Sequence, residues 1–283
     1  MVRREMNADG VPIVIQQDLS PTVYLDHWAL RKFSQDSVLA KRFTRTLEGR
    51  GGTLALSWLN LAEFSKVTDQ DQGKMAEEFC AANFPRIFFL DSDPFSVIQR
   101  EDEILSGRIR VPVPPHADAE FLSAFDQLNS DTLTDFTMRK LFRRVQSNRL
   151  HSDFDKLADT VAQRIEALRN EHNQRRELRS AVARLPAGLK IQRGTRYALR
   201  ELARTLLLDK GVKVSRNHAI DFMHAVVPLS YCEYVLLDKH WETQVEKVRS
   251  RLSKMAFNVS LARAYSEKPE RIEKFFSDLE SRS

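Results

Sequence analysis

Four acidic residues have the setting that metal chemistry needs. Asp26 ends the run Thr22-Val23-Tyr24-Leu25, and Asp238 follows Tyr234-Val235-Leu236-Leu237. Glu63 lies in WLNLAEFSKV and Asp221 in NHAIDFMHAVVPLSY. Each stands among residues that expect burial, where an isolated ionised carboxylate is costly unless paired or metal-bound. Gathered in one pocket, four carboxylates repel and raise one another's pKa unless a divalent cation neutralises them. All-oxygen donors suit Mg2+ or Mn2+, and such a site can activate a water and stabilise charge developing on a phosphodiester. Simpler roles stand beside this one. Asp221 could be a helix-start acid favouring the dipole, Asp26 the end of a strand, Asp238 the N-cap of a helix beginning near His240, and Glu63 half of a surface pair with lysine. No Ser–His–Asp order, phosphate-binding loop or glycine-rich dinucleotide turn competes with the metal reading.

The elements that must hold these acids follow from hydrophobic pattern. Thr22–Leu25, Thr53–Ser57, Arg86–Leu90 and Tyr234–Leu237 are short apolar runs of the kind that form fully covered strands. Helices are expected from His27 to about Phe33, Leu39 to Leu47, after Ser57 as cap, and near Gln72 to Asn83. The strand–helix–strand–helix–strand order predicts an α/β fold with a parallel sheet covered on both faces. Strand-end acids are where such sheets place ligand-binding residues. Pro12–Ile15 reads as an edge strand or lead-in, Phe257–Ser260 as an outer strand, and Glu270–Leu279 as a terminal helix.

Beyond Pro94 the character changes. Val111-Pro112-Val113-Pro114-Pro115 is a rigid break. Helices then follow between about 118 and 182, including one with a Phe154, Leu157, Val161, Ile165 and Leu168 stripe. Pro186 and Gly188 close this region, and Gly211 stops a further helix. We therefore expect a discontinuous core, 1–95 and 212–283, around a helical insertion, 96–211. From Arg139 to Arg216 there are 20 Lys/Arg against 8 Asp/Glu, so within a net charge of +5 the remainder is acidic. That asymmetry suits a polyanion-binding arm on an acidic core, the alternative being a solvated helix surface or a protein-partner face. Arg143, Arg144, Arg175, Arg176, Arg193 and Arg196 are the expected nucleic-acid contacts, since guanidinium binds phosphate bidentately. No apolar run of about 18 residues predicts a membrane span, and the N-terminus lacks a signal-peptide core. Two isolated cysteines argue against a disulfide framework. A cytoplasmic protein is the expectation.

Together, VYLD, LSWLNLAEF and NHAIDFMHAVVPLSYCEYVLLDKHW resemble, in order and context, the PIN-domain nucleases. The likeness covers roughly 20–95 and 212–262. It departs after the first acid, where His27 and Trp28 replace a small hydroxyl residue and its common Asn neighbour. The resemblance implies a three-layer α/β/α fold with a central, mostly parallel sheet. It also implies metal-dependent endonucleolytic hydrolysis of RNA, with Asp26, Glu63, Asp221 and Asp238 as Mg2+ or Mn2+ ligands. A toxin or defence role follows from family analogy alone. Asn217, one turn before Asp221, could orient a water or phosphate or serve as an N-cap; His27 could contact substrate. Two other readings stay open: an inactive PIN-like module that binds nucleic acid or protein, and a structure-selective DNA nuclease. A regulatory protein or a second copy of the chain is a further candidate partner.

Overall fold

The computed structural model describes residues 2–6, 12–65, 69–84, 86–108, 113–119, 121–122, 150–184, 194–209, 214–254 and 260–281. The elements up to the third sheet strand are β1 (Val2–Met6), β2 (Pro12–Gln16), β3 (Thr22–Leu25), α1 (His27–Gln35), α2 (Ser37–Gly49), β4 (Thr53–Ser57), α3 (Trp58–Ser65), α4 (Gln70–Asn83) and β5 (Ile87–Leu90). Helices α5 (Pro94–Leu105), α6 (Leu150–Gln174), α7 (Arg176–Ala183), α8 (Gly194–Leu208) and α9 (Arg216–Tyr231) come next. The chain closes with β6 (Tyr234–Leu236), α10 (Lys239–Ser253), β7 (Arg263–Tyr265) and α11 (Pro269–Ser281).

One sheet has the order β5-β4-β3-β6-β7, and every neighbouring pair in it is parallel. The chain starts in the middle at β3, moves outward through β4 and β5, then crosses back to lay β6 and β7 on the other side. The winding therefore reverses between β3 and β6, where Leu25 stands opposite Leu236. In open α/β sheets the crevice beyond the strand ends at this reversal is the usual ligand site.

Alternate residues of each strand divide between two cores, as a period of two requires. Val23, Leu25, Leu54, Leu56, Phe89 and Leu236 pack with α1, α2, α4 and α11. Tyr24, Ala55, Phe88, Leu90, Val235 and Leu237 pack on the opposite face with α6, α8, α9 and α10. The fold is a three-layer α/β/α sandwich. Helices α6 and α8, from the stretch 96–211, belong to this second core.

Several local expectations change. Pro12–Ile15 is not an edge of the main sheet but half of an antiparallel hairpin with β1. Its Gln16 side chain donates to Phe89 O at 3.1 Å and accepts from Phe89 N at 2.9 Å, covering an edge strand that would otherwise offer unpaired backbone groups. On α6, Leu168 is 49% exposed. The buried row runs instead through Val161, Ile165 and Arg169, and Arg169 donates to Leu206 O at 3.1 Å at the end of α8. Residues 255–259 lie outside the described set, and with them most of the outer strand expected at Phe257–Ser260; the neighbour of β6 is β7. Pro186, Gly188, Gly211, the side chain of Phe154 and the helices expected between 123 and 149 also lie outside it.

The turn that delivers β4 depends on glycine. Gly51 has φ +63°, a left-handed conformation suited to a helix C-terminus. At Gly52 an added Cβ would lie 2.5 Å from Pro21 O and 2.8 Å from the Leu47 side chain. Cys80 and Cys232 are buried free thiols. Among the described residues no helix is long and apolar enough to cross a membrane.

Candidate metal centre

Because β3 and β6 run side by side, the residues that follow them emerge together, and Asp26 N donates to Leu236 O at 3.1 Å. Each strand-end acid then caps a helix. Asp26 Oδ1 accepts from Ala29 N at 3.1 Å, and Asp238 Oδ1 accepts from Trp241 N at 2.8 Å. The cap weighed for Asp238 is thus present, and Asp26 is an N-cap as well as a strand end. Capping occupies one oxygen of each carboxylate and leaves its other oxygen able to accept from elsewhere.

Asp221 lies in the second turn of α9. The N-cap of that helix is Ser215, whose Oγ accepts from His218 N at 3.4 Å. Asn217 is therefore not the cap. It is exposed in the first turn, four residues before Asp221 and on its side of the helix.

Glu63 is half-buried on α3. His224 Nε2 donates to its Oε2 at 3.0 Å, and His27 Nδ1 stands 3.7 Å from the same oxygen. The His27 ring packs against Phe64 at 4.8 Å. Burial holds the His27 pKa below its ordinary value, against the pull of Glu63.

The four acids share one electrostatic environment. Burial raises the Asp26 pKa well above the carboxylate range, and the charges of Glu63, Asp238 and Asp221 push it further. Burial also lifts Asp221 to about 6, with Asp238 and Glu63 adding to the rise while His224 and the Trp241 side chain oppose it. The N-termini of α1 and α10 with α3 and α9 thus bring Glu63, Asp221 and Asp238 within charge range of Asp26.

Beneath them runs a buried polar chain. Glu63 can only accept, so the hydrogen lies on His224 Nε2, and in the neutral ring Nδ1 accepts from the Tyr24 hydroxyl. Burial pushes the Tyr24 pKa far up, which keeps that hydroxyl un-ionised. The Tyr24 oxygen lies 3.2 Å from Ser57 Oγ, which donates to Asn60 Oδ1 at 3.1 Å. Asn60 Nδ2 in turn donates to Leu25 O at 3.0 Å. The expected Ser57 cap is inverted, since Asn60 Oδ1 accepts from Ser57 N at 2.8 Å. This chain links the end of β3, the start of α3 and the middle of α9, and it fixes how Glu63 faces the other acids.

The donor set fits a hard divalent cation. It is all carboxylate oxygen, and burial together with the neighbouring acids makes the ionised forms of Asp26 and Asp221 costly, a cost that a bound cation would offset. Among the described residues no three His, Cys, Asp or Glu side chains form a ready-made metal-binding group. Two carboxylates are turned to helix N-termini and Glu63 to His224, so closing on a cation requires side-chain rotation.

Two acids beyond β5 are engaged elsewhere. Asp91 pairs with Arg100, and Asp93 caps α5 by accepting from Phe95 N at 3.0 Å. Trp241 is buried against Phe222. Arg143, Arg144 and Arg193 are outside the described residues. Arg175 pairs with Glu171 at 2.9 Å, Arg196 pairs with Asp102 at 2.7 Å, and Arg176 is exposed on α7. His224 and Tyr24 are the site residues that pattern alone does not reveal. The available signal was a histidine three residues after Asp221, on its face of the helix but embedded in an apolar stripe. Comparison with protein-family models, characterised proteins and solved structures gives no match.

Proposed function

We propose that the protein is a Mg2+- or Mn2+-dependent endoribonuclease, with Asp26, Glu63, Asp221 and Asp238 as the metal ligands. One observation carries this reading. Asp26, at the reversal point of a parallel sheet, lies within charge range of Glu63, Asp221 and Asp238, and burial with that repulsion raises Asp26 well above its ordinary value and Asp221 to about 6. Perturbed acids in a sheet crevice mark a functional site with a physical reason behind it. Bound there, a divalent cation would lower the pKa of water and neutralise charge developing on the phosphodiester. Asp26 and Asp238, at the N-termini of α1 and α10, would each turn a carboxylate oxygen to the cation from two sides of the site. His224, itself held by Tyr24, aims the Glu63 carboxylate. The helix N-termini behind Asp26 and Asp238 favour an approaching phosphate group.

Cleavage of a labelled RNA in Mn2+ against EDTA tests the proposal, using wild type, Asp221→Asn and Asp238→Asn. Metal-dependent cleavage lost in both variants is expected. Single-stranded and flap DNA assayed alongside separate ribonuclease from deoxyribonuclease. The lack of a ready-made cage among the described residues favours one other reading, a non-catalytic binding module. That reading is established if RNA binds and turnover is absent with and without Mn2+.

A further inference from the structure

A groove of about 1060 Å3 lies between α10, β7 and α11. Eight Lys/Arg and three Asp/Glu side chains line it. It begins one helical turn past a site acid, since Glu242 of its lining donates its N–H to Asp238 O at 2.9 Å. It then follows α10 to Lys254. Twelve residues of helix at about 1.5 Å each give roughly 18 Å, room for about five phosphates of a stacked strand at about 3.4 Å per phosphate.

We propose that this groove is the binding track for the phosphodiester backbone of a single-stranded RNA, leading the strand to the four acids. This rests on the nucleic-acid part of the function proposed above and is independent of its chemistry.

The guanidinium groups are held in place by bonds that leave donors over. Arg271 pairs with Glu242, donates to Ala264 O at 3.1 Å and lies 5.4 Å from the Tyr265 ring centroid. Arg249 donates to Ala262 O at 3.3 Å, and Arg263 reaches Asp278 at 3.4 Å. Arg204 and Arg251 share the single carboxylate of Glu201, at 3.1 and 2.8 Å, so that pairing leaves one positive charge uncompensated. A guanidinium carries five N–H donors in a fixed fork, and a pre-positioned fork loses less freedom on meeting a phosphate. Lys247 and Lys254 are exposed along the same wall.

The geometry also disfavours a protein strand as occupant. β7 is the edge of the sheet, but guanidinium groups already take the carbonyls of Ala262 and Ala264. An added strand would need such edge carbonyls. Tyr265 is buried with its hydroxyl donating to Asp278 at 2.7 Å, so it offers no open ring for base stacking. Recognition would be of backbone charge, not sequence.

The test is fluorescence anisotropy of a labelled 20-nucleotide oligo-uridine in EDTA, titrated at several salt concentrations, so that cleavage plays no part. Lys247→Glu with Lys254→Glu is expected to weaken binding at least 10-fold and to flatten the log K against log salt slope by about 1.4, at about 0.7 per lost contact. Lys41→Glu with Lys74→Glu changes net charge equally on α2 and α4, away from the groove lining, and is expected to leave both unchanged. Thermal melts confirm that the two double variants are folded. The proposal is overturned if wild type does not bind, if the Lys247/Lys254 variant binds like wild type, or if both variants lose equally. Binding of poly-glutamate in place of RNA would also overturn it and assign the groove to an acidic protein. Groove-dependent binding with no turnover in Mn2+ would leave the track standing while the nuclease reading fails.

Discussion

Replacing Asp221 by asparagine probes both the charge balance of the site and the role of a cation in it. The Asp221 carboxyl is pushed from 3.8 to about 6 by burial, with help from Asp238 and Glu63. A folded-state pKa above the unfolded value means that ionising this group opposes folding. The penalty is absent below about pH 4, grows as pH rises through about 6, and is constant above that. Two pKa units correspond to about 3 kcal/mol at neutral pH. Asparagine keeps the shape and removes the charge. Without metal at pH 7.5, Asp221→Asn is therefore expected to be more stable than wild type by up to about 3 kcal/mol. For 283 residues that is roughly 5 °C in melting temperature, taking about 2.1 cal/mol/K per residue for the unfolding entropy. Near pH 4 the difference should vanish. With Mn2+ at about a hundred times its Kd, wild type should gain about 2.7 kcal/mol while the variant gains far less, closing the gap. Urea and thermal unfolding in EDTA and in Mn2+, at both pH values, measure all of this. A variant no more stable than wild type at pH 7.5 in EDTA would refute the charge argument, and equal Mn2+ stabilisation of both proteins would refute the metal argument.

Three further outcomes follow from named contacts. His224→Ala removes the donor that orients Glu63 and is expected to weaken Mn2+ binding about 10- to 100-fold by calorimetry, with Tyr24→Phe giving a smaller loss; unchanged affinity in His224→Ala would show that Glu63 needs no support. Glu101 is buried and accepts from Thr195 Oγ1 and the Tyr231 hydroxyl, both at 2.6 Å, so Glu101→Ala should destabilise by about 2–4 kcal/mol in urea without altering Mn2+ affinity. Gly52→Ala forces a Cβ against Pro21 O and the Leu47 side chain and should cost about 1–3 kcal/mol; wild-type stability in urea would contradict that close approach.

Much of the sheet was legible because its strands are covered on both faces. Val23-Tyr24-Leu25 and Tyr234-Val235-Leu236 are continuous apolar runs with an acid just beyond, and both became neighbouring central strands. That β3 lies between β4 and β6 was not written in any local pattern; it follows from the crossover after α9. The acids were legible as charges placed among buried residues. Their support was not, because Tyr24 and His224 meet across 200 positions of sequence and a histidine between Met223 and Val227 reads as core. Individual basic residues are harder to read. Arg169 and Arg204 count as surface charge in the sequence, yet they turn inward to Leu206 O and Glu201. Conversely, α10 and α11 mix both signs and look like ordinary amphipathic helices, so their shared groove emerges only when β7 sets them side by side.

Anomalous diffraction from crystals grown in Mn2+ addresses the central claim most directly, because it places the cation without recourse to activity. The account predicts at least one manganese peak with carboxylate oxygens of Asp26, Asp221 and Asp238 in its coordination sphere and Glu63 bound directly or through water. Manganese bound elsewhere, or none at this crevice when Mn2+ is saturating, would contradict it.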